Sequence, residues 1–416
     1  VPLERQIANK YLSENPVERI PIAVGGSIPG PAGSAGPQGA TTFAIECRRD
    51  DLIGALAAAG AAVNAKVRIP ILSHVLVQCG PGECVVTGTN LDVRIARRIA
   101  CTASNDRVAF TLPWDGLGKR LAALPAGDIR IEVDSAGVLR QAQQARIAGG
   151  TSMLEVDTLP PGDFPAEPEI AVADRYGIEA KDLRRIIGNV EHAISKEETR
   201  YYLCGACFHC VEDGRLRLVA TDGHRLAIDE APTASTQGGL TTAAVPVVVP
   251  AGTVRIVKTR CLAAGGTVAV ASGAGGIGFT FEDGTVVTSR VIESPFPDYR
   301  RVVPRGNDKQ ARIDRRALDQ TLRGVPRRKR GEAPALVKLA FEEGTLDVSG
   351  AHGNTRLACE WNGGPFTISF QAAYLRDAIA VLGDEVCMAM KDPLAPVLLR
   401  SGAAFPQVVL MPCVAR

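Results

Sequence analysis

Apolar and polar residues alternate over Gly214–Ala220, where Leu216, Leu218 and Ala220 take every second position. A period of two marks a half-buried strand. Elsewhere, short strand-like runs lead straight into longer helix-like ones. Thr42–Cys47 precedes Arg49–Ala62, Arg175–Glu179 precedes Lys181–Ala193, and Gln310–Ile313 precedes Arg315–Leu322. A second series joins Val108–Leu112 to Trp114–Leu124, Ala244–Val249 to Gly252–Ala263, and Phe366–Phe370 to Ala372–Leu382. With the strands between them, these pairs predict a plan of about two helices and eight short, mostly antiparallel strands, used three times.

A direct repeat supports the threefold plan. GECVVTGTN begins at Gly82, GRLRLVATD at Gly214 and GTLDVSGAH at Gly344, at intervals of 132 and 130 residues. Each is followed shortly by Arg-(Ile/Leu)-Ala, starting at Arg94, Arg225 and Arg356. Solenoid units run about 20–50 residues, so this period belongs to a whole domain. The expected class is α+β, with three repeated domains over residues 41–168, 169–304 and 305–416. Residues 1–40 read as a flexible extension with a short helix over Leu3–Leu12, because Ala23–Ala40 is too rich in Gly, Pro, Ser and Ala to bury a core. The Pro-rich stretches Pro160–Pro168 and Pro295–Asn307 mark the inner boundaries.

The formal net charge is only +2. That argues against holding nucleic acid by raw affinity. The distribution says more. Basic residues recur on every expected helix: Arg48 and Arg49, Lys119 and Arg120, Arg184 and Arg185, Arg255 with Lys258 and Arg260, Arg315 with Arg316 and Arg323, and Arg376. Six helices in equivalent places sharing that habit point to one basic surface. A further basic insert covers Arg327–Arg330. No apolar run is long enough to span a membrane, and the first 30 residues lack the apolar core of a secretory signal. An odd number of scattered cysteines, 11 in all, fits reduced thiols in the cytoplasm.

Chemistry-bearing motifs carry less weight. Cys204, Cys207 and Cys210 form a double C-x-x-C, but the iron–sulfur pattern expects a fourth Cys and a Pro nearby. Gly273–Gly278 matches G-x-G-x-x-G, yet a strand follows where a dinucleotide site needs a helix. Asp222-Gly223-His224 reads as a tight turn. No catalytic group, metal or cofactor is expected.

Three stretches carry a resemblance: Arg200-Tyr201-Tyr202-Leu203, Ala220–Ala227 (ATDGHRLA) and Phe296–Pro304 (FPDYRRVVP). Ile69–Leu72, Leu159-Pro160, Asp163-Phe164-Pro165 and Val409-Leu410-Met411-Pro412 support it. From about Thr41 onward the chain resembles the beta sliding clamp of bacterial DNA polymerase III. The resemblance implies a head-to-tail homodimer closing a ring around duplex DNA, without sequence preference. Twelve helices at about 10 Å each would lie on a circle roughly 38 Å across. Subtracting one helix width of about 10–12 Å leaves a bore of roughly 26–28 Å.

The resemblance also implies site residues. A partner-peptide pocket would use Leu203, Thr221, Gly223, His224, Arg225, Leu226, Pro297, Arg301, Val302, Val409, Leu410, Met411 and Pro412. It would serve the polymerase III catalytic subunit, the clamp loader and other proteins carrying the clamp-binding peptide. DNA would meet Lys66, Arg120, Arg184, Arg200, Tyr201, Tyr202, Arg255, Arg315 and Arg316. The dimer seam would involve Leu154 and Val156 against Leu322 and Val325. The chain departs from the family's habit in three places. Ala251-Gly252 replaces an Arg-Lys pair, Lys66 stands where Arg is usual, and Cys413-Val414 follows the last Pro. The missing pair and the altered tail support one rival reading, an accessory or competing paralogue that binds partners without efficient encirclement; a separate rival is an enzyme built on Cys204, Cys207 and Cys210.

Overall fold

The computed structural model describes residues 42–63, 68–103, 108–134, 143–168, 170–211, 213–234, 246–325, 334–351, 353–402 and 404–414. The expected extension with its Leu3–Leu12 helix, Lys66 and the insert Arg327–Arg330 lie outside these residues. No helix among the described residues is long and apolar enough to cross a membrane.

Six helices form among the described residues: α1 (Arg49–Gly60), α2 (Leu117–Ala122), α3 (Ala180–Val190), α4 (Ala251–Ala264), α5 (Arg315–Arg323) and α6 (Ala372–Ala380). On α3 the buried residues Ala180, Leu183, Ile186, Ile187 and Val190 fall on one face, as an amphipathic helix requires. Asp314 opens α5 by accepting from the Ala317 amide at 2.7 Å, which satisfies an otherwise unpaired donor. One expectation needs correction. The helix expected over Trp114–Leu124 is confined to Leu117–Ala122, because Gly116 (φ 70°) turns the chain left-handed just before it. Trp114 instead donates its amide to Ser73 O at 3.1 Å.

Among the described residues, four open, antiparallel-rich sheets hold the strands. The first runs β5 (Thr102–Ala103), β1 (Thr42–Arg48), β7 (Asp128–Asp134), β8 (Gln143–Gly149), β9 (Ser152–Thr158). The second runs β10 (Ala171–Glu179), β15 (Thr267–Ala274), β16 (Gly276–Thr280), β17 (Thr285–Arg290), β4 (Val93–Ala100), β3 (Glu83–Thr89), β2 (His74–Gly80), β6 (Val108–Pro113). The third runs β14 (Val247–Pro250), β11 (Gly205–Val211), β12 (Arg215–Thr221), β13 (Arg225–Pro232), β26 (Gln407–Leu410), β25 (Val397–Arg400), β24 (Glu385–Met390), β18 (Lys309–Asp314), β22 (Glu360–Trp361). The fourth runs β21 (Gly353–Ala358), β20 (Thr345–Gly350), β19 (Leu336–Glu342), β23 (Phe366–Gln371).

The chain falls into two compact units, the described part of Val1–Arg175 with Gly266–Arg290, and Tyr176–Gly265 with Val291–Arg416. The middle copy is thus divided. In the first unit its last strand β17 pairs with β4, setting Ser289 opposite Val93 and Thr288 opposite Arg94. In the second unit β26 pairs with β13 in the same way, setting Leu410 opposite Arg225 and Val409 opposite Leu226. The first unit's core joins Leu52, Ala55, Leu56 and Ala59 of α1 to Ile45, Val77, Val86, Phe110, Ile131 and Ile147 of its strands.

The thiols hold one correction. Cys79 and Cys84 stand directly opposite each other on β2 and β3 and form a disulfide with Cα atoms 4.1 Å apart. Free thiols, expected throughout, describe the other nine cysteines. Direct cross-strand opposition supplies the proximity. Cys204, Cys207 and Cys210 do not converge: the one group of three potential metal ligands among the described residues is Cys79, Cys84 and Cys101. Gly273–Gly278 forms the β15–β16 hairpin, with Gly275 at φ 84°.

Candidate partner-binding site

The turn between β12 and β13 is built by its own side chains. Thr221 Oγ1 donates to Arg225 O (2.8 Å) and accepts from the Gly223 amide (3.1 Å). Asp222 Oδ1 accepts from the amides of His224 (2.9 Å) and Arg225 (3.0 Å). Gly223 sits at φ 86°, and a Cβ there would lie 2.6 Å from Nη1 of Arg200. A side chain at this position is strained by the left-handed backbone, and the Arg200 guanidinium, the end of a flexible side chain, would have to move aside. The sequence reading of Asp222-Gly223-His224 as a tight turn holds.

Around the turn the second unit gathers most of the expected pocket residues. Met411 donates its amide to His224 O at 2.9 Å, extending the β13–β26 ladder by one bond. Leu226, Val409 and Tyr299 share a buried cluster, with Phe296 and Val303 packed against it. Tyr299–Arg301 is a single 3-10 turn capped by Asp298. Val302 is 44% exposed and Met411 37% exposed, leaving apolar surface beside a buried floor. Pro297, Arg301 and His224 are exposed, and Thr221 and Pro412 are half-buried. Leu203, buried, closes the 3-10 stretch Glu198–Leu203 and accepts from the Ser195 amide.

Three contributors were missed in the sequence. Tyr374 and Asp377, one turn apart on α6, hold the arginine of the turn. Arg225 lies 4.4 Å over the Tyr374 ring and pairs with Asp377 at 2.8 Å and Asp222 at 3.1 Å. His224 stacks on the same ring, centroids 5.8 Å apart. The third is His192. Burial, aided by the Arg225 charge, pushes its pKa down to about 4, against the opposing pull of Asp377 and Asp222. An aromatic residue and an acid at i and i+3 on a helix were the available signal. Their partner across the fold was not.

The basic residues separate into engaged and free. Arg200 is held by Glu197, and Arg120 donates to Glu155 O at 2.8 Å. Arg316 lies 3.7 Å from Asp384. Arg184 and Arg255 are exposed. Arg315 is half-buried, its Nε without a partner. Tyr201 is 57% exposed and meets Tyr202 edge to face. The seam residues lie differently from surface anchors. Val156, Leu322 and Val325 are each buried in their own fold, and Leu154 is half-buried on the first unit's core. On β9 the exposed side chains are Ser152, Met153, Glu155 and Asp157.

The comparisons with known proteins agree along the chain. Family models for the N-terminal, central and C-terminal domains of the DNA polymerase III beta subunit match residues 43–168, 177–298 and 300–413. The beta sliding clamp of Caulobacter vibrioides is 31% identical over 369 residues, covering 85% of this chain and 95% of that protein. The Pseudomonas aeruginosa beta sliding clamp is 29% identical over 356 residues, covering 81% and 90%. Among solved structures, a Caulobacter crescentus beta sliding clamp superposes with a TM-score of 0.80 at 30% identity, covering 90% of this chain and 99% of that one. A Bartonella birtlesii clamp bound to griselimycin gives 0.79 at 29%, covering 90% and 100%.

Proposed function

The chain belongs to the DNA polymerase III beta subunit family, the bacterial beta sliding clamps, and from that premise we propose how it works: two copies close head to tail around duplex DNA. The family supplies processivity and has no catalytic centre of its own, so the mechanism is mechanical. One observation carries the closure. The last strand of the second copy, β17, lies on β4 of the first, and the last strand of the third, β26, lies on β13 of the second. The same rule applied once more joins β9, last in the first copy, to β21, the counterpart of β4 and β13 in the third. Both are open sheet edges, and joining them across two chains makes a nine-stranded sheet like the one already present. Unpaired edges of this length recruit another strand. Backbone ladder bonds carry this seam, with Leu154, Val156, Leu322 and Val325 stiffening the cores beneath it.

In this reading Arg120, Arg184, Arg200, Tyr201, Tyr202, Arg255, Arg315 and Arg316 face the phosphates. Contacts that repeat at every base-pair step let the ring slide. The Thr221–Leu226 turn with Pro297, Arg301, Val302 and Val409–Pro412 captures a short apolar peptide of the polymerase, the loader or a repair protein. Met411 adapts to different side chains, and Arg301 meets polar or acidic groups. The site of action is the cytoplasm, on the nucleoid.

The test is topological. The protein is loaded onto nicked circular DNA by a clamp loader, and the circle is then cut once at constant salt. A ring leaves the linear ends within minutes. Retention on linear DNA until the salt is raised overturns encirclement.

A further inference from the structure

The first unit carries a second copy of the partner-site turn. Its hydrogen bonds repeat one for one: Thr89 Oγ1 donates to Val93 O (2.9 Å) and accepts from the Leu91 amide (3.1 Å). Asn90 Oδ1 accepts from the amides of Asp92 (3.1 Å) and Val93 (2.8 Å). Arg290 donates its amide to Asp92 O at 2.9 Å, as Met411 does to His224 O. A cavity of about 130 Å³ opens here, lined in part by Thr89, Leu91, Asp92, Arg94, Pro165 and Arg290. The first five stand 132 residues before Thr221, Gly223, His224, Leu226 and Pro297.

The chemistry is reversed. Arg94 takes the place of Leu226, and Thr288, opposite it on β17, takes that of Val409. Arg290 takes that of Met411. Arg94 is only 8% exposed. Its Nη1 donates to Pro165 O at 3.1 Å, and its Cζ stands 5.8 Å from the Phe164 ring. Its Nε has no partner. A buried, half-satisfied guanidinium is costly, and burial lowers the Arg94 pKa from its ordinary value, with Glu167 opposing. Leu91 adds strain at the lip, holding φ 80° where glycine stands in the other turn.

We propose that this cavity is a second peptide-binding site, and that it takes an acidic side chain of a partner segment on Arg94 and Arg290. The volume corresponds to about four waters at ~30 Å³ each, enough for one side chain and too small for a folded element. The apolar lip of Leu91 and Pro165 fits a peptide better than a bare phosphate. Asp92 at the rim opposes a polyanion.

The test uses a fluorescein-labelled hexapeptide, Ala-Pro-Glu-Glu-Leu-Ala, and its twin with both Glu replaced by Gln, read by fluorescence anisotropy against the full chain. The acidic peptide binds at least tenfold more tightly than its twin. Arg94→Gln and Arg290→Gln, each with unchanged melting temperature, lose that preference. A peptide of the clamp-binding type, read at the Met411 site, binds all three proteins equally. Equal affinity of the acidic peptide for wild type and both variants overturns the proposal. So does loss of binding in Met411→Asp instead, which assigns the acidic peptide to the other site. Displacement by an equimolar 12-base-pair duplex assigns the cavity to DNA phosphate and overturns it too.

Discussion

The turns at Thr89–Arg94 and Thr221–Leu226 share a backbone and differ in what they offer. In both, a Thr hydroxyl and an Asx carboxylate or amide close the loop with matching hydrogen bonds. In both, the last strand of the following copy is laid alongside. The inward ladder pair is Leu226 with Val409 in one and Arg94 with Thr288 in the other. The frame depends on two or three side chains that bond to backbone. The remaining positions are free of that duty, so duplication copied the frame while the binding chemistry diverged.

The sharpest way to break the comparison is to exchange the floors. Leu226→Arg buries a charge in an apolar cluster and costs about 3 kcal/mol or more, whereas Arg94→Leu restores the sister residue and shifts stability by less than about 1 kcal/mol. Urea melts of the two variants measure the difference, and equal losses would contradict the stated polarity of the sites.

Next in size is a pH effect confined to the second turn. The His192 imidazole titrates at about 4 when folded and near 6.5 when unfolded, so the unfolded chain holds the extra proton between those values. Stability therefore rises with pH from about 4 to 6.5 and levels off above, by up to about 3 kcal/mol. Melts of wild type and His192→Gln across this window isolate the contribution; parallel curves would remove it.

Partner affinity tests the apolar site itself. Arg301→Ala is expected to weaken a clamp-binding peptide about tenfold, or about 1.4 kcal/mol, with the dimer mass unchanged in light scattering. Removing Val409–Leu410 is a poorer test of the proposed pocket, because those residues are ladder partners of β13. An effect of similar size sharpens the shared frame. Thr89→Val and Thr221→Val each lose two hydrogen bonds and should cost about 1–2 kcal/mol apiece, and a large inequality would show that the frames are not equivalent.

Much of the fold was legible because it is local. Leu183, Ile186, Ile187 and Val190 announce α3 by spacing alone, and Thr221-Asp222-Gly223 announces its turn by residue type. The Trp114–Leu124 helix was overextended because Gly116 reads as one weak former among several until its left-handed φ is known. Val156, Leu322 and Val325 are buried in their own fold, and an apolar residue in a sequence does not declare which core it enters.

The sequence by itself determined the threefold plan, the order of strands and helices, and the family, because periodicity, turn chemistry and motif spacing are written along one dimension. Only the tertiary structure decided that Arg225 is clasped by Tyr374 and Asp377, that Cys79 faces Cys84, and that Arg94 lies buried at a twin of the Thr221–Leu226 turn. Those facts depend on ladder register and on contacts between segments up to about 150 residues apart. No local pattern fixes such contacts, since strand pairing is selected by the packing of whole faces.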